Sequence, residues 1–325
     1  MVLSTPVAFF IFNRHDLAEI TFAAIAQAKP QQLFVIADGA RFLEEEEKCQ
    51  KTRAVIEQVD WECDVRTNFS DKNLGCGRRI SSGLDWVFSQ VEEAIILEDD
   101  CLPTPSFFNY CQTLLKYYRN DERLMHINGD NSLRQVRNSY SYFFSKYMHC
   151  WGWASWRRAW NHFDYDMKSW PSFQESGMLE SICNDYYEQK FWTNIWDRVH
   201  KDSQIQSTWA YQWTYACMSQ GGLTITPNQN LVSNTGFNRA DSTHTTSSSP
   251  RSNVPTNDIW EVEHPPFVAR DRKADIFTFD TMFGGKELRE NDTLSGKARQ
   301  FLRSTKQTIM ASKKKSVECM SDEPT

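Results

Sequence analysis

The sequence has no CxxC pair, no apolar run long enough to span a bilayer, no internal repeat and no excess of positive charge. Each absence excludes something. The nine cysteines are scattered and odd in number, without repeated spacing. That reads as reduced cytosolic thiols, not a disulfide framework. A formal net charge of −6 argues against a general nucleic-acid binder. The opening "MVLSTPVAFFIFNRHD" carries only a short apolar run with no basic region before it. It reads as a first buried strand, not as a signal peptide or a membrane span. A cytoplasmic protein is expected. The glycines of "GCGRR" (75–79) match neither a Walker loop nor the G-x-G-x-x-G spacing.

What is present is a chain of 325 residues, 40% apolar, with 12 Trp, 11 Tyr and 21 Phe. The length suits one large α/β domain or one with a smaller appendage. The aromatic excess fits a packed core plus a groove for a flat or amphipathic ligand, though core packing alone can use much of it.

Short apolar runs alternate with helical periodicity in the first half. "PVAFFIFNR", "QLFVIADGAR", "CDVRTNFS" and "EEAIILEDD" read as strands. "DLAEITFAAIAQA", "EEEEKCQKTRAVIEQV" and "ISSGLDWVFSQ" read as helices between them. This alternation implies βαβ units and a mostly parallel sheet. Such sheets bind ligands beyond the carboxyl ends of their strands. Arg14, Asp38 and the run Glu98-Asp99-Asp100 all fall at those ends. In the second half, "SFFNYCQTLLKYYRNDE", about Met167–Val199 and "TWAYQWTYACMSQGG" read as helices, and "LMHINGDNS" as a strand ending in a polar turn.

Three adjacent carboxylates repel one another and call for a cation. In an ideal strand they point to alternating faces, so a turn must begin there if they are to share one ion. Hard oxygen ligands suit Mg²⁺ or Mn²⁺ carrying substrate phosphates, with the metal offsetting charge on a diphosphate leaving group. A solvated strand end is the bland alternative.

The segment "ILEDDCLPTPSFFNY" resembles the metal motif of GT-A nucleotide-sugar glycosyltransferases. The likeness is greatest to the N-acetylglucosaminyltransferase I group and related bacterial glycosyltransferase-like proteins, and covers roughly residues 5–245. It implies a GT-A, Rossmann-like sheet flanked by helices, with an aromatic-rich helical C-terminal half forming the acceptor side. The nucleotide-binding part would be 1–130, the sugar and acceptor part 131–285, and 286–325 a basic polar tail. By the same resemblance Asp100 is the metal ligand, Asp99 lies near the ribose and Glu98 near the donor sugar. Arg14 borders the nucleotide and Asp38 contacts the base, while Arg78 and Arg79 reach the diphosphate or uracil. The "CWGW" segment, with Trp151 and Trp153, shapes the sugar pocket, although each tryptophan taken singly also reads as core. The late His244 in "DSTHTT" joins Asp100 on Mn²⁺ or Mg²⁺.

One element departs from the pattern. An inverting transferase needs a carboxylate to deprotonate the acceptor hydroxyl. Ala210 stands where the resemblance places that acid. Asp130 in "NGDN" is one substitute; Asp197 or Glu188 is another; a protein that binds without efficient transfer is the third.

The expected function is metal-dependent transfer of a sugar, with inversion, from a nucleoside-diphosphate donor, UDP-linked by preference, to a glycan or lipid-linked glycan hydroxyl. Bacterial surface polysaccharide is the expected product class. A sugar nucleotidyltransferase is a second reading, but "FNRHDLAEIT" lacks the glycine- and basic-rich signature expected after strand one. A catalytically weak nucleotide-sugar or carbohydrate-binding protein is the third. The tail "GKARQFLRSTKQTIMASKKKS" is basic without an acid and reads either as a disordered end or as an amphipathic helix on anionic lipid at the inner membrane face.

Overall fold

The structure is a computed structural model that describes residues 3–131, 133, 136–201, 208–237, 239 and 254–293. The first half follows the expected alternation. Strand β1 (Val7–Ile11) leads to α1 (His15–Ala28), β2 (Gln32–Ala37), α2 (Glu46–Arg53), β3 (Asp64–Phe69), α3 (Cys76–Phe88) and β4 (Glu93–Glu98). A short β5 (Cys101–Pro103) then gives way to α4 (Pro105–Tyr117). Pro105 opens that helix, where its missing N–H costs no hydrogen bond. The second half comprises β6 (Leu124–Asn128), β7 (Tyr142–Ser145), β8 (Trp153–Trp156), α5 (Arg157–Trp160), α6 (Trp170–Glu175), α7 (Leu179–Ile182), α8 (Tyr186–Lys201) and α9 (Ala210–Ser219). It continues through β9 (Leu223–Pro227), β10 (Val232–Asn234), α10 (Arg272–Met282) and α11 (Gly285–Asp292). The span Met167–Val199, read as largely helical, is three helices separated by turns.

Among the described residues eight strands form one sheet in the order β3-β2-β1-β4-β8-β6-β9-β7. The pairings β1–β2, β2–β3, β1–β4 and β6–β9 are parallel, and only β7 and β8 run against the rest. The mostly parallel α/β sheet flanked by helices is therefore as expected.

Both faces of the central strands are buried, which is why their sequences are apolar without interruption. Val7, Phe9, Leu33, Val35, Ile95 and Leu97 pack with Phe22 and Ile25 of α1 and Leu114 of α4. The alternate residues Ala8, Phe10, Phe34, Ile36 and Ile96 pack with Leu84 and Val87 of α3 and with Trp213 of α9. A third cluster, with Trp170, Trp192, Trp196 and Tyr215, holds α6, α8 and α9 together. Six tryptophans are almost fully enclosed. Core packing thus accounts for much of the aromatic excess. Among the described residues no helix is long and apolar enough to cross a membrane.

One glycine lets the sheet close. A Cβ at Gly129 would stand 2.5 Å from the carbonyl oxygen of Gly152, whose own partner is the Gly129 amide at 2.8 Å. Gly129→Ala should cost about 1–3 kcal/mol through forced separation of these two backbones. An unchanged denaturant midpoint would refute that.

Candidate active site

The strand β4 ends at Glu98, and Asp99 and Asp100 form the turn into β5. The turn does what an ideal strand could not: it aims both aspartates at one cation. That cation, within the chain, is Arg14, at the amino end of α1. Its guanidinium ion-pairs with Asp99 through two nitrogens and lies 3.0 Å from Asp100 Oδ2. Thr21 Oγ1 donates to the Asp99 carbonyl at 2.9 Å and ties α1 to the same turn.

The side chains of Asp99 and Asp100 are 5% and 15% exposed. Burial, then the charges of Asp100 and Asp99, push Glu98 up to about 8. Burial also raises Asp99, to about 6, against the pull of Arg14. Burial opposes the charge on Arg14, but Asp99 and Asp100 outweigh it and hold the guanidinium above its ordinary value. Among the described residues the cluster has one cation for three largely buried carboxyl groups, and a further positive charge is favourable there.

The neighbouring residues take different parts. Asp38, at the end of β2, is buried, and its carboxylate accepts from the amides of Gly39 (3.0 Å), Leu74 (2.9 Å) and Gly75 (3.0 Å). Three of its roughly four lone-pair sites are thereby occupied. It clasps the loop that leads into α3 and does not present an open carboxylate to a base. Arg79 is buried in α3 and donates to the carbonyls of Ala37 and Asn68 and to the Asn68 amide oxygen. It closes the ends of β2 and β3 and does not reach a diphosphate at the rim. Arg78 is exposed, with its guanidinium 4.8 Å from the Tyr165 ring centre. Cys76, in the first turn of α3, is close enough to Glu98, Asp100 and Asp99 that, after burial, their charges raise its thiol. No side chain caps this end of α3.

On the other side, β10 pairs antiparallel with β5, and Thr235 donates to the Asp100 carbonyl at 2.8 Å. A Cβ at Gly236 would lie 2.7 Å from Asp100 Oδ2, so glycine allows backbone to approach that carboxylate. Trp151 is half-buried, set edge-on to Phe237 at 5.5 Å, and lines a hollow with Asp130, Asn230 and Val254. The hollow holds about 10 Å³, close to one water molecule. Trp153 is elsewhere: it is 1% exposed and stacks on His126 (4.8 Å) and Trp209 (5.4 Å). It is core and offers no ring face to a sugar.

Asp130 is 1% exposed, with Oδ2 3.1 Å from His149 Nδ1. His149 was not singled out in the sequence; its signal was its place beside the "CWGW" segment. Behind it, His126 donates from Nε2 to the His149 carbonyl (2.9 Å), because its Nδ1 accepts the Trp213 indole N–H (3.0 Å). The other two substitutes for the missing base face away. Glu188 is buried against Lys146 at 2.6 Å, and Asp197 accepts from the Trp170 indole at 3.0 Å.

His244 lies outside the described residues. The flanks of its segment are placed: Arg239 pairs with Asp16 of α1 at 2.6 Å, and Val254 lines the hollow beside Asp130. Among the described residues no group of three His, Cys, Asp or Glu side chains could hold a metal ion. The tail beyond 293 also lies outside them, while helical structure runs on to Asp292.

No family model and no curated protein matches the chain. Among solved structures, a UDP-glucose pyrophosphorylase in complex with UDP-glucose is 14% identical, covering 46% of this chain and 64% of its own, at a TM-score of 0.26. Residues 1–349 of S. aureus TarS are 9% identical, with 72% and 60% covered and a TM-score of 0.42. The 4-diphosphocytidyl-2C-methyl-D-erythritol synthase of Anaerococcus prevotii is 9% identical, with 47% and 71% covered and a TM-score of 0.30. The chain spans less than two thirds of the first two. Similarity this distant carries no argument about activity, which rests on the site itself.

Proposed function

We propose that the protein is a glycosyltransferase that takes a sugar from a nucleoside-diphosphate donor, UDP-linked, and passes it with inversion to a glycan hydroxyl. The observation that carries the reading is the convergence of Arg14, the Asp38-held loop and the buried Glu98–Asp100 turn at the carboxyl ends of β1, β2 and β4. That is where an open parallel sheet binds its ligand. The exposed Arg78 and the uncapped first turn of α3 suit a diphosphate beside these acids.

Asp100 is the residue that would hold a divalent ion, with His244 as the second ligand inferred from sequence. Its carboxylate is more exposed than that of Asp99, and Gly236 sets no side chain against it. One protein carboxylate with substrate phosphates is a common Mg²⁺ or Mn²⁺ arrangement. When bound, the ion offsets charge on the departing diphosphate. The chain's own part is to hold Asp99 and Asp100 in place through Arg14. Asp130, oriented by His149, is the proposed proton acceptor.

A specific observation favours binding without transfer as a second reading. Ala210 opens α9 with no acid in its first turn, and the hollow beside Asp130 is too small for a sugar. Calorimetric titration with UDP separates the readings, using GDP, CDP and dTDP as controls, with Mn²⁺ or with EDTA. UDP-selective binding should need both metal and Asp100, and Asp100→Ala should weaken it at least tenfold. Folded protein that binds no nucleotide in the presence of metal would overturn the proposal. Binding without donor hydrolysis or transfer would favour the second reading.

A further inference from the structure

A cleft of about 420 Å³ opens away from the acid turn, between the end of β7, the amino ends of α8 and α10, and α11. The edge strand β7 is four strands from β4, on the order of 19 Å at the usual interstrand spacing. The volume is that of a small-molecule site. Its charged lining comprises Lys146, Arg270, Arg272 and Arg289 against Asp185, Glu188 and Asp275.

The acids are all engaged from within. Asp185 accepts the amides of Tyr187 and Glu188 at the start of α8 and the Arg289 guanidinium at 2.8 Å. Glu188 takes Lys146 Nζ at 2.6 Å and the Tyr147 hydroxyl. Asp275 takes the Ser145 hydroxyl at 2.6 Å and Arg270 at 2.7 Å. Lys146, Glu188 and Asp275 are each more than nine-tenths buried, so the floor of the cleft is a fixed charged frame.

The donors are not all engaged. An arginine has five N–H groups. Arg270 lies with Nε 2.7 Å from Asp275 Oδ2 as an ion pair, without a hydrogen bond between them, and donates from one terminal nitrogen to the Ile182 carbonyl (3.1 Å). Arg289 directs its two terminal nitrogens to Asp185 and Asp280. The Arg272 side chain is exposed and makes no hydrogen bond or ion pair with any described residue. Three guanidinium groups with N–H to offer, over acids each already paired with a cation of the lining, form a surface rich in donors. Guanidinium forks match the paired oxygens of phosphate and carboxylate. Ile276, at 58% exposure, lends an apolar patch to the same lining.

We propose that this cleft is a second binding site, for a small polar molecule bearing a phosphate or carboxylate that Arg272, Arg270 and Arg289 grip. The inference does not depend on the function proposed for the acid turn. The test is calorimetry on the full chain with glucose 6-phosphate, inorganic phosphate, glucuronate and glucose. Glucose 6-phosphate or glucuronate should bind saturably, and which one binds tells phosphate from carboxylate. Arg272→Ala should weaken it at least tenfold and Arg272→Glu should abolish it. Lys273→Ala, an exposed neighbouring cation outside the lining, and Asp100→Ala should leave it unchanged. Absence of saturable binding by every oxyanion probe, or equally tight binding of glucose, would overturn the proposal. So would a loss as large in Lys273→Ala, or a loss in Arg14→Ala with none in Arg272→Ala, which would place the anion at the acid turn.

Discussion

Replacing Arg14 with alanine should destabilise the protein by about 3 kcal/mol at pH 8 and by less at pH 5. Removing one partner of a buried ion pair costs about 3–5 kcal/mol because the other charge is left uncompensated. The lower end applies here, since the Arg14 side chain is 20% exposed. The pH dependence follows from the acids. Burial already raises Glu98 to about 8 and Asp99 to about 6 in the folded chain. A carboxyl raised by folding binds its proton more tightly in the native state. Its contribution is therefore complete below the unfolded value near 4, and stability is lost as the pH rises through the folded value. Without Arg14 both groups rise further, so the deficit must widen between pH 5 and pH 8. Urea unfolding of both chains at the two pH values, in EDTA, measures it. Arg14→Lys should fall between, keeping the charge but not the two-nitrogen grip on Asp99. A deficit equal at both pH values would show that Arg14 is not the counter-ion of this cluster.

The second large effect belongs to His126. It is fully buried, and that burial lowers it to about 3, from an ordinary value of 6.5. The hydrogen bonds fix the neutral form, since Nδ1 must accept from Trp213. Between pH 6.5 and pH 3 the unfolded chain carries a proton here that the native chain does not. Stability should therefore fall with acidification, by about 1.4 kcal/mol per pH unit from this residue alone. His126→Asn keeps an acceptor and a donor without titrating. It should lose about 1–3 kcal/mol at pH 7, by disturbing the bond to Trp213. Its stability should then decline less steeply than that of the native chain from pH 6 to pH 4. Carboxylates elsewhere titrate alike in both chains and cancel in the difference. Parallel curves would mean that His126 takes up its proton without unfolding.

The acid limb and the nucleotide titration bear on one rim, because His126 supports His149, and His149 holds Asp130. A fall in stability from His126→Asn with nucleotide binding unchanged would assign that column of residues to the scaffold. Loss of both together would place it at the site.

By itself, the sequence determined the strands and their burial. Runs such as "VAFFI" and "AIIL" are apolar at every position because both sheet faces are covered there. It also placed the acids at a strand end, because charged residues cannot continue such a run into the core. Turn chemistry set the start of α4 at Pro105. These are local properties, carried by neighbours a few residues apart. Tertiary structure decided the partners. Arg14 and Asp99 are 85 residues apart and meet because β1 and β4 are adjacent in the sheet. Arg78 and Arg79 are identical in type and consecutive, yet helix rotation points one to solvent and buries the other against β2 and β3. Trp151 and Trp153 look equivalent in "CWGW", but only Trp153 lies within a strand, stacked between other rings in the core. The donor-rich cleft was invisible in the sequence for the same reason: Lys146, Asp185, Arg272 and Arg289 share no local pattern. They come together only when α8, α10 and α11 close over the edge of the sheet.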